Sequence, residues 1–280
     1  MQKKYYLWKI TKKDVDKKLL TFLKDELGVS NKQIKKALDK GKCSINGKIE
    51  RFGSTKLKKG DEIKLSALWQ ESSEKKNLSL KILYEDDFFI AIDKPINFES
   101  SDKNLHLFFP RKYTLIHRLD KDVSGVLLIA KTHQFKEQMI KDVFKNEKIL
   151  KTYLAILDGT INEKTKKIES NLGKIKSFQG QTIYGSTRHG KYALSYLKVL
   201  KKYKDKTLVE LIPITGRTHQ LRVHMKQISH PILGDFLYAK KFSCADDISR
   251  LMLHAEKIEF DHPITFENIE IASDIPEEFN

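Results

Sequence analysis

The sequence predicts an α+β chain: a small, basic N-terminal α/β module, then a larger domain on a mixed, largely antiparallel sheet flanked by helices and loops. Three observations carry this. Strand-like and helix-like runs follow one another without the regular rhythm of a parallel βαβ protein. Several strand-like runs are separated by only short turn signals, which join antiparallel neighbours. The charge is also uneven, since +11 of a net +16 lies in residues 1–80. A basic first third with a nearly balanced remainder points to a polyanion grip attached to a body with another task.

Residues 5–10 (YYLWKI) alternate and are rich in aromatics, as strands are. Val15, Leu19, Phe22 and Leu23 then recur at helical spacing. Ser30 with Gln33 forms a capping box that opens a second helix, whose apolar stripe is Ile34, Ala37 and Leu38. Lys32, Lys35, Lys36 and Lys40 gather on another face, and Lys42 follows just beyond. Asn46-Gly47 between two short apolar runs predicts a hairpin, because both residues tolerate positive φ. Glu62 to Leu65 predicts one more strand. The polar, aperiodic stretch after it predicts a linker at 71–80, between a module of residues 1–70 and a domain of residues 81–280.

In the domain, 80–84 and 88–93 read as a hairpin, and Gly125 to Ala130 (GVLLIA) as a fully buried strand. Residues 132–147 read as a helix facing inward through Phe135, Met139, Ile140, Val143 and Phe144. Tyr153 to Leu157 reads as a strand, and 192–200 with 208–214 as a second hairpin. Thr218 to Ile228 reads as a short helix with Leu221, Met225 and Ile228 inward.

Several function classes are excluded at this level. The longest apolar run is far too short to span a bilayer, and the N-terminus lacks the apolar stretch of a secretory signal. Cys43 and Cys244 stand far apart and form neither a metal pair nor a disulfide framework, which fits a reducing cytoplasm. There is no phosphate-binding glycine loop, GxGxxG, HExxH or GxSxG, so neither metal nor cofactor is expected. His254 and His262 stand alone and are expected to be structural.

Two stretches hold the candidate chemistry. HRLDKDVSG (117–125) runs charged residues into the mouth of the buried strand. There Asp120 lies beside Arg118 and Lys121, cations that favour an ionised carboxylate able to act as nucleophile or base. TGRTHQLRVH (215–224) turns from a strand into a helix. Arg217 sits near the helix start, where anions bind. His219 and Arg222 share a helix face, and Arg222, at the edge of the apolar stripe, requires a carboxylate partner. Tyr153 opens a strand between the two stretches. Taken alone, these also fit a solvated charged turn, an amphipathic helix with surface arginines and a core tyrosine.

HRLDKDVSGVLLIAKT, KTYLAIL and ELIPITGRTHQLRVHMKQISHPILGD, in that order, resemble the motifs of the RluA-type family of RNA pseudouridine synthases. RLMLHA (250–255) resembles that family's closing motif, and residues 13–66 are similar to the RNA-binding module of ribosomal protein S four. The resemblance implies that a uridine in RNA loses its glycosidic bond, turns, and is rejoined through carbon, without cofactor or metal. It implies Asp120 as the catalytic aspartate, Arg222 as its partner, and Tyr153 as the aromatic residue stacked on the uracil. Leu253 is expected to pack under the base, and Arg118, Arg217 and His219 to contact the nucleotide. The module's Lys32, Lys35, Lys36, Lys40 and Lys42 are expected to hold RNA phosphates. The implied partner is large-subunit ribosomal RNA, free or in an assembling subunit, met by a cytoplasmic monomer. Val123 stands where the family has threonine, Asp93-Lys94-Pro95-Ile96-Asn97 departs from the usual form, and 96–116 is short. An RNA-binding assembly factor with incidental or lost catalysis, and a tRNA-directed enzyme of the same chemistry, remain open at this level.

Overall fold

The computed structural model describes residues 5–39, 41–67, 69, 80–178, 181–239, 241–244, 246, 248 and 250–279. The chain divides into two compact units, 1–78 and 79–280. The expected linker lies outside the described residues except for Leu80, and so does Lys40.

The first unit runs Tyr5–Lys9 (β1), Leu19–Leu27 (α1), Asn31–Asp39 (α2), Cys43–Ile45 (β2), Lys48–Ile49 (β3) and Glu62–Ser66 (β4). Its strands form an antiparallel sheet in the order β1-β4-β2-β3. The capping box forms: the Gln33 N–H donates to Ser30 Oγ at 3.4 Å, and the Ser30 N–H donates to Gln33 Oε1 at 3.0 Å. Ile34, Ala37 and Leu38 are buried in a core with Phe22, Leu23 and Ile63, while Lys32, Lys35, Lys36 and Lys42 are exposed. Asn46 and Gly47, at φ 51° and 76°, turn β2 into β3. Val15 is a correction. It lies in a turn before α1 and is 37 % exposed. Asp14 ties that turn by accepting from Thr11 and Lys17, and Asp16 at φ 65° breaks the helical path, so the helix starts only at Leu19.

The second unit runs Lys81–Glu85 (β5), Phe89–Lys94 (β6), Asp102–Leu105 (α3), Thr114–Leu115 (β7), Ser124–Ala130 (β8), His133–Gln138 (α4) and Ile149–Asp158 (β9). It continues with Thr165–Phe178 (β10), Gln181–Ser186 (β11), Lys191–Lys202 (β12), Lys206–Pro213 (β13), Gln220–Gln227 (α5), Leu253–Asp261 (β14) and Asn268–Ala272 (β15). The sheet order is β11-β10-β12-β13-β9-β14-β8-β6-β5, with β15 on β14 and β7 on β8. Among the described residues β8 and β14 form the single parallel pair. This is the expected mixed, largely antiparallel sheet.

The continuous apolar run of β8 has a direct cause. Leu127 and Ile129 enter one core, and Val126 and Leu128 the other, so both faces of the strand are covered. Gly125 is required where β8 meets β14, since its φ is 113° and a Cβ there would fall 2.0 Å from the Ala255 carbonyl oxygen.

Helix 132–147 is a second correction: α4 ends at Gln138 and a π-helical turn covers Met139–Phe144. Phe135, Met139 and Val143 are buried at a spacing of four, which an α-helix of 3.6 residues per turn carries steadily off one face. The wider turn keeps Val143 in the core. The β10–β11 hairpin, β14 and β15 are absent from the sequence-based elements. Of TKKIESNL in β10 only Ile168 and Leu172 are buried, too few for a strand signal.

Three histidines of this unit are held neutral. Burial pushes His117 down to about 3, and His224 and His254 down to about 4. In the unfolded chain such rings protonate near about pH 6.5. Their contribution to stability is therefore full above that pH and is lost as pH falls toward about 4, where the unfolded state binds more protons. Urea unfolding across this range checks the point. His254→Gln is expected to lower the slope of unfolding free energy against pH by about one proton; an unchanged slope would show that His254 titrates normally in the folded chain.

Candidate active site

Asp120 lies in the loop between β7 and β8, and its backbone is bracketed by two buried groups. Ser100 Oγ donates to the Leu119 carbonyl at 2.9 Å and accepts from the Leu119 N–H at 3.3 Å. Lys94, wholly buried at the end of β6, donates to the carbonyls of Pro95, Phe98 and Lys121 at 2.9, 3.0 and 3.3 Å. Burial pushes Lys94 down to about 8, against the pull of Asp122 and Asp120. Leu119 and Val123 point into the core on either side, and His117 Nε2 accepts from the Leu128 N–H at 3.1 Å. Little of this loop is free to move.

Arg222 reaches the loop from α5. Its Nη1 donates to Asp120 Oδ2 at 3.0 Å, while its Nε and Nη2 donate to the two carboxylate oxygens of Asp235, each at 2.8 Å. Its guanidinium also lies over the Tyr238 ring, 5.1 Å from the centroid. Burial opposes the charge of Arg222, but Asp235 and Asp120 outweigh it and hold the pKa above the ordinary value. Asp235 follows Gly234, where a Cβ would fall 1.9 Å from the Arg250 carbonyl oxygen, so the turn that carries Asp235 requires glycine.

The α5 helix is anchored to the sheet by polar as well as apolar contacts. Gln220 donates to the Leu194 carbonyl and to Ser195 Oγ, both at 2.9 Å, and accepts from the Thr215 hydroxyl at 2.7 Å. His224 Nδ1 stands 3.0 Å from the same Ser195 Oγ. The buried Gln220 and His224 of QLRVH thus face the sheet, Arg222 turns to Asp120 and Asp235, and Leu221, Val223 and Met225 join the apolar clusters.

Tyr153 on β9 is half-buried and packs against the apolar cluster that holds Leu119 and Leu253. Burial, and then the charge of Asp120, raise its pKa, so the phenol stays protonated. His219 Nε2 faces Asp120 Oδ2 at 3.6 Å. Asp120, Tyr153, His219 and Arg222 therefore come together.

Leu253 is 3 % exposed, at the start of β14 and paired with Ala155. The structure does not bring Arg118 and Arg217 to the carboxylate. Arg118 is exposed, and no hydrogen bond or ion pair among the described residues engages its guanidinium. The Arg217 Nε donates to the Tyr192 carbonyl at 2.9 Å on the edge of β12. Sequence reasoning missed Asp235, Lys94 and Tyr238. A partly buried Arg222 called for one carboxylate, which Asp120 supplied; nothing local announced a second.

A family model described as RNA pseudouridylate synthase matches residues 90–227, which include Asp120, Tyr153 and Arg222. The ribosomal large subunit pseudouridine synthase C of Buchnera aphidicola subsp. Baizongia pistaciae is 34% identical over 245 residues, covering 78% of this chain and 77% of the relative. The chain belongs to the RluA-type RNA pseudouridine synthases. The ribosomal large subunit pseudouridine synthase D of Vibrio cholerae is 31% identical over 278 residues, covering 89% of this chain and 84% of that one. Among solved structures, the human RNA pseudouridylate synthase domain containing 1 is similar, with a TM-score of 0.59 and 28% identity, over 71% of this chain and 84% of that one.

In this pseudouridine synthase Arg222 and Asp235 form a buried ion pair that the partly exposed Asp120 joins, and removing Asp235 leaves the buried guanidinium undercompensated. Asp235→Asn keeps the shape and removes the charge. It is expected to cost about 3 kcal/mol in unfolding free energy and to slow single-turnover pseudouridine formation by at least about tenfold. Wild-type values in both measurements would remove Asp235 from the site.

Proposed function

We propose that this enzyme converts uridine to pseudouridine in large-subunit ribosomal RNA, with Asp120 as the catalytic carboxylate. The observation that carries the reading is the charge-assisted hydrogen bond from Arg222 to Asp120 at 3.0 Å, beside the half-buried Tyr153. The ribosomal target is supported by the relatives from Buchnera and Vibrio, whose names specify the ribosomal large subunit.

The reaction conserves every atom and changes no oxidation balance outside the nucleotide. It needs neither metal nor organic cofactor, only groups that add to or deprotonate the sugar, hold the freed uracil, and return it turned. Asp120 acts on the sugar. Tyr153 offers a ring for the base to stack on, and its protonated hydroxyl is available for hydrogen bonding. Leu253 supports that position from within the core. The uridine must leave its stack to reach them, at a cost of a few kcal/mol. Arg118 holds the RNA open, a role supported by its exposure and by its lack of a side-chain hydrogen bond or ion pair among the described residues. Arg217, fastened to β12, contacts phosphate near the start of α5.

Binding energy elsewhere in the RNA offsets the flipping cost. The first unit supplies it as a module of the ribosomal protein S four type. Lys32, Lys35 and Lys36 are exposed on α2, away from its buried stripe, Lys42 is exposed just beyond the helix, and these lysines contact phosphates without reading sequence. The protein works as a monomer in the cytoplasm, the compartment that suits its two buried, unpaired cysteines.

Asp120→Asn is expected to abolish pseudouridine formation while RNA binding survives; modification at the wild-type rate would overturn the assignment. Pseudouridine mapping of total RNA, with and without the protein, is expected to find its uridine in large-subunit ribosomal RNA. Replacing Lys32, Lys35, Lys36 and Lys42 by Gln is expected to weaken RNA binding and to flatten its dependence on salt by about one unit of slope for each phosphate no longer neutralised. An unchanged slope would show that this face does not meet RNA.

A further inference from the structure

We infer that Tyr238 and His219 form a positioning relay that presents a neutral imidazole N–H to the catalytic carboxylate. The inference rests on Asp120 being that carboxylate. The Tyr238 hydroxyl lies between two groups: the Tyr184 backbone N–H donates to it at 3.1 Å, and His219 Nδ1 stands 2.7 Å away. The other ring nitrogen, Nε2, faces Asp120 Oδ2 at 3.6 Å. That is just beyond hydrogen-bond length, as catalytic contacts often are before substrate binds. His219 also holds a left-handed backbone, at φ 55°, as the residue before α5. Such a conformation at a functional position is kept only where the surroundings enforce it.

The two contacts select one tautomer. A neutral imidazole carries a single N–H. Were it on Nδ1, the lone pair of Nε2 would face a carboxylate oxygen, acceptor against acceptor. With the proton on Nε2, the ring donates toward Asp120, the Tyr238 O–H donates to Nδ1, and the Tyr238 oxygen accepts from Tyr184. Each proton then faces an acceptor and no two acceptors oppose each other. Tyr238 is 5 % exposed, and burial pushes its pKa up to about 12, so the hydroxyl keeps its proton. Burial lowers the pKa of His219, against the pull of Asp120, and Arg222 adds to the lowering; Asp235 and Asp122 are the other charges that face the ring.

Asp120 Oδ2 thus accepts from Arg222 and is approached by His219 at 3.6 Å, while no hydrogen bond among the described residues reaches Oδ1. The carboxylate is held by one oxygen, and the other is left for the substrate. Tyr184 lies on β11, so the outer anchor of the relay is the β10–β11 hairpin.

The test uses the full chain with isotopically labelled histidine, His219 being identified by its loss in His219→Asn. Wild-type His219 is expected as the Nε2–H tautomer. Tyr238→Phe is expected to mix the tautomers and to slow single-turnover pseudouridine formation about ten- to a hundred-fold, with KM for RNA within about twofold. An unmixed tautomer or an unchanged rate in Tyr238→Phe refutes the relay.

A second pair of variants holds should Tyr238→Phe fail to fold. His219→Gln keeps an amide N–H near the position of Nε2, whereas His219→Asn suits the left-handed backbone better but places its amide near Nδ1. The relay requires the Gln variant to be the more active. The opposite order would mean that position 219 serves only the backbone. The tautomer is read without RNA, so the two failures are distinguishable: an active Asp120→Asn variant refutes the carboxylate assignment whatever the tautomer shows.

Discussion

Arg222 is 7 % exposed and carries a charge that must be balanced where it stands. An uncompensated buried ion costs several kcal/mol, and two carboxylates meet that demand in different ways. Asp235, itself 1 % exposed, takes the guanidinium in a bidentate grip. Asp120, whose side chain is 29 % exposed, shares a single N–H and faces the solvent side. The first carboxylate holds the arginine; the second is held by it. One interaction thereby ties together the loop after β7, the helix α5 and the turn at Gly234. Two carboxylates around one guanidinium leave a net negative charge, so the pairing orients Asp120 without consuming its charge.

The surrounding scaffold follows the same logic. Lys94 and Ser100 occupy the carbonyls on either side of Asp120, and Gln220 and His224 plug α5 into Ser195. Buried polar contacts are short-ranged and directional, and misplacing one leaves an unsatisfied atom. They suit a site whose groups must stand ready before the nucleotide arrives. The first unit is built otherwise. Its core is apolar, and Lys32, Lys35, Lys36 and Lys42 face outward, where their charges act at long range and are screened by salt.

Much of this was legible locally. The capping box at Ser30, the Asn46-Gly47 hairpin and the buried run of β8 each rest on interactions between near neighbours or on uninterrupted hydrophobicity. Where a segment's behaviour depended on distant partners, local reading fell short. Val15 has helical spacing, but Asp14 and Asp16 end the pattern. The π-helical turn at Met139 depends on keeping Val143 in a core made by other strands. The β10–β11 hairpin shows too little apolar alternation to be read, because much of its length faces solvent.

The sequence by itself determined the chemistry available: an aspartate among cations, an arginine at the edge of an apolar stripe, a tyrosine opening a strand and a lysine-faced helix. Those depend on residue type and short spacing. Only the tertiary structure decided which groups meet. It gave Arg222 a second carboxylate 13 residues away, set Lys94 beneath the Asp120 loop, fastened Arg217 to β12, and placed Tyr238 behind His219. A buried charge fixes the need for a partner, but its identity is set by which chain segments the sheet and its glycine contacts bring within a hydrogen bond's length.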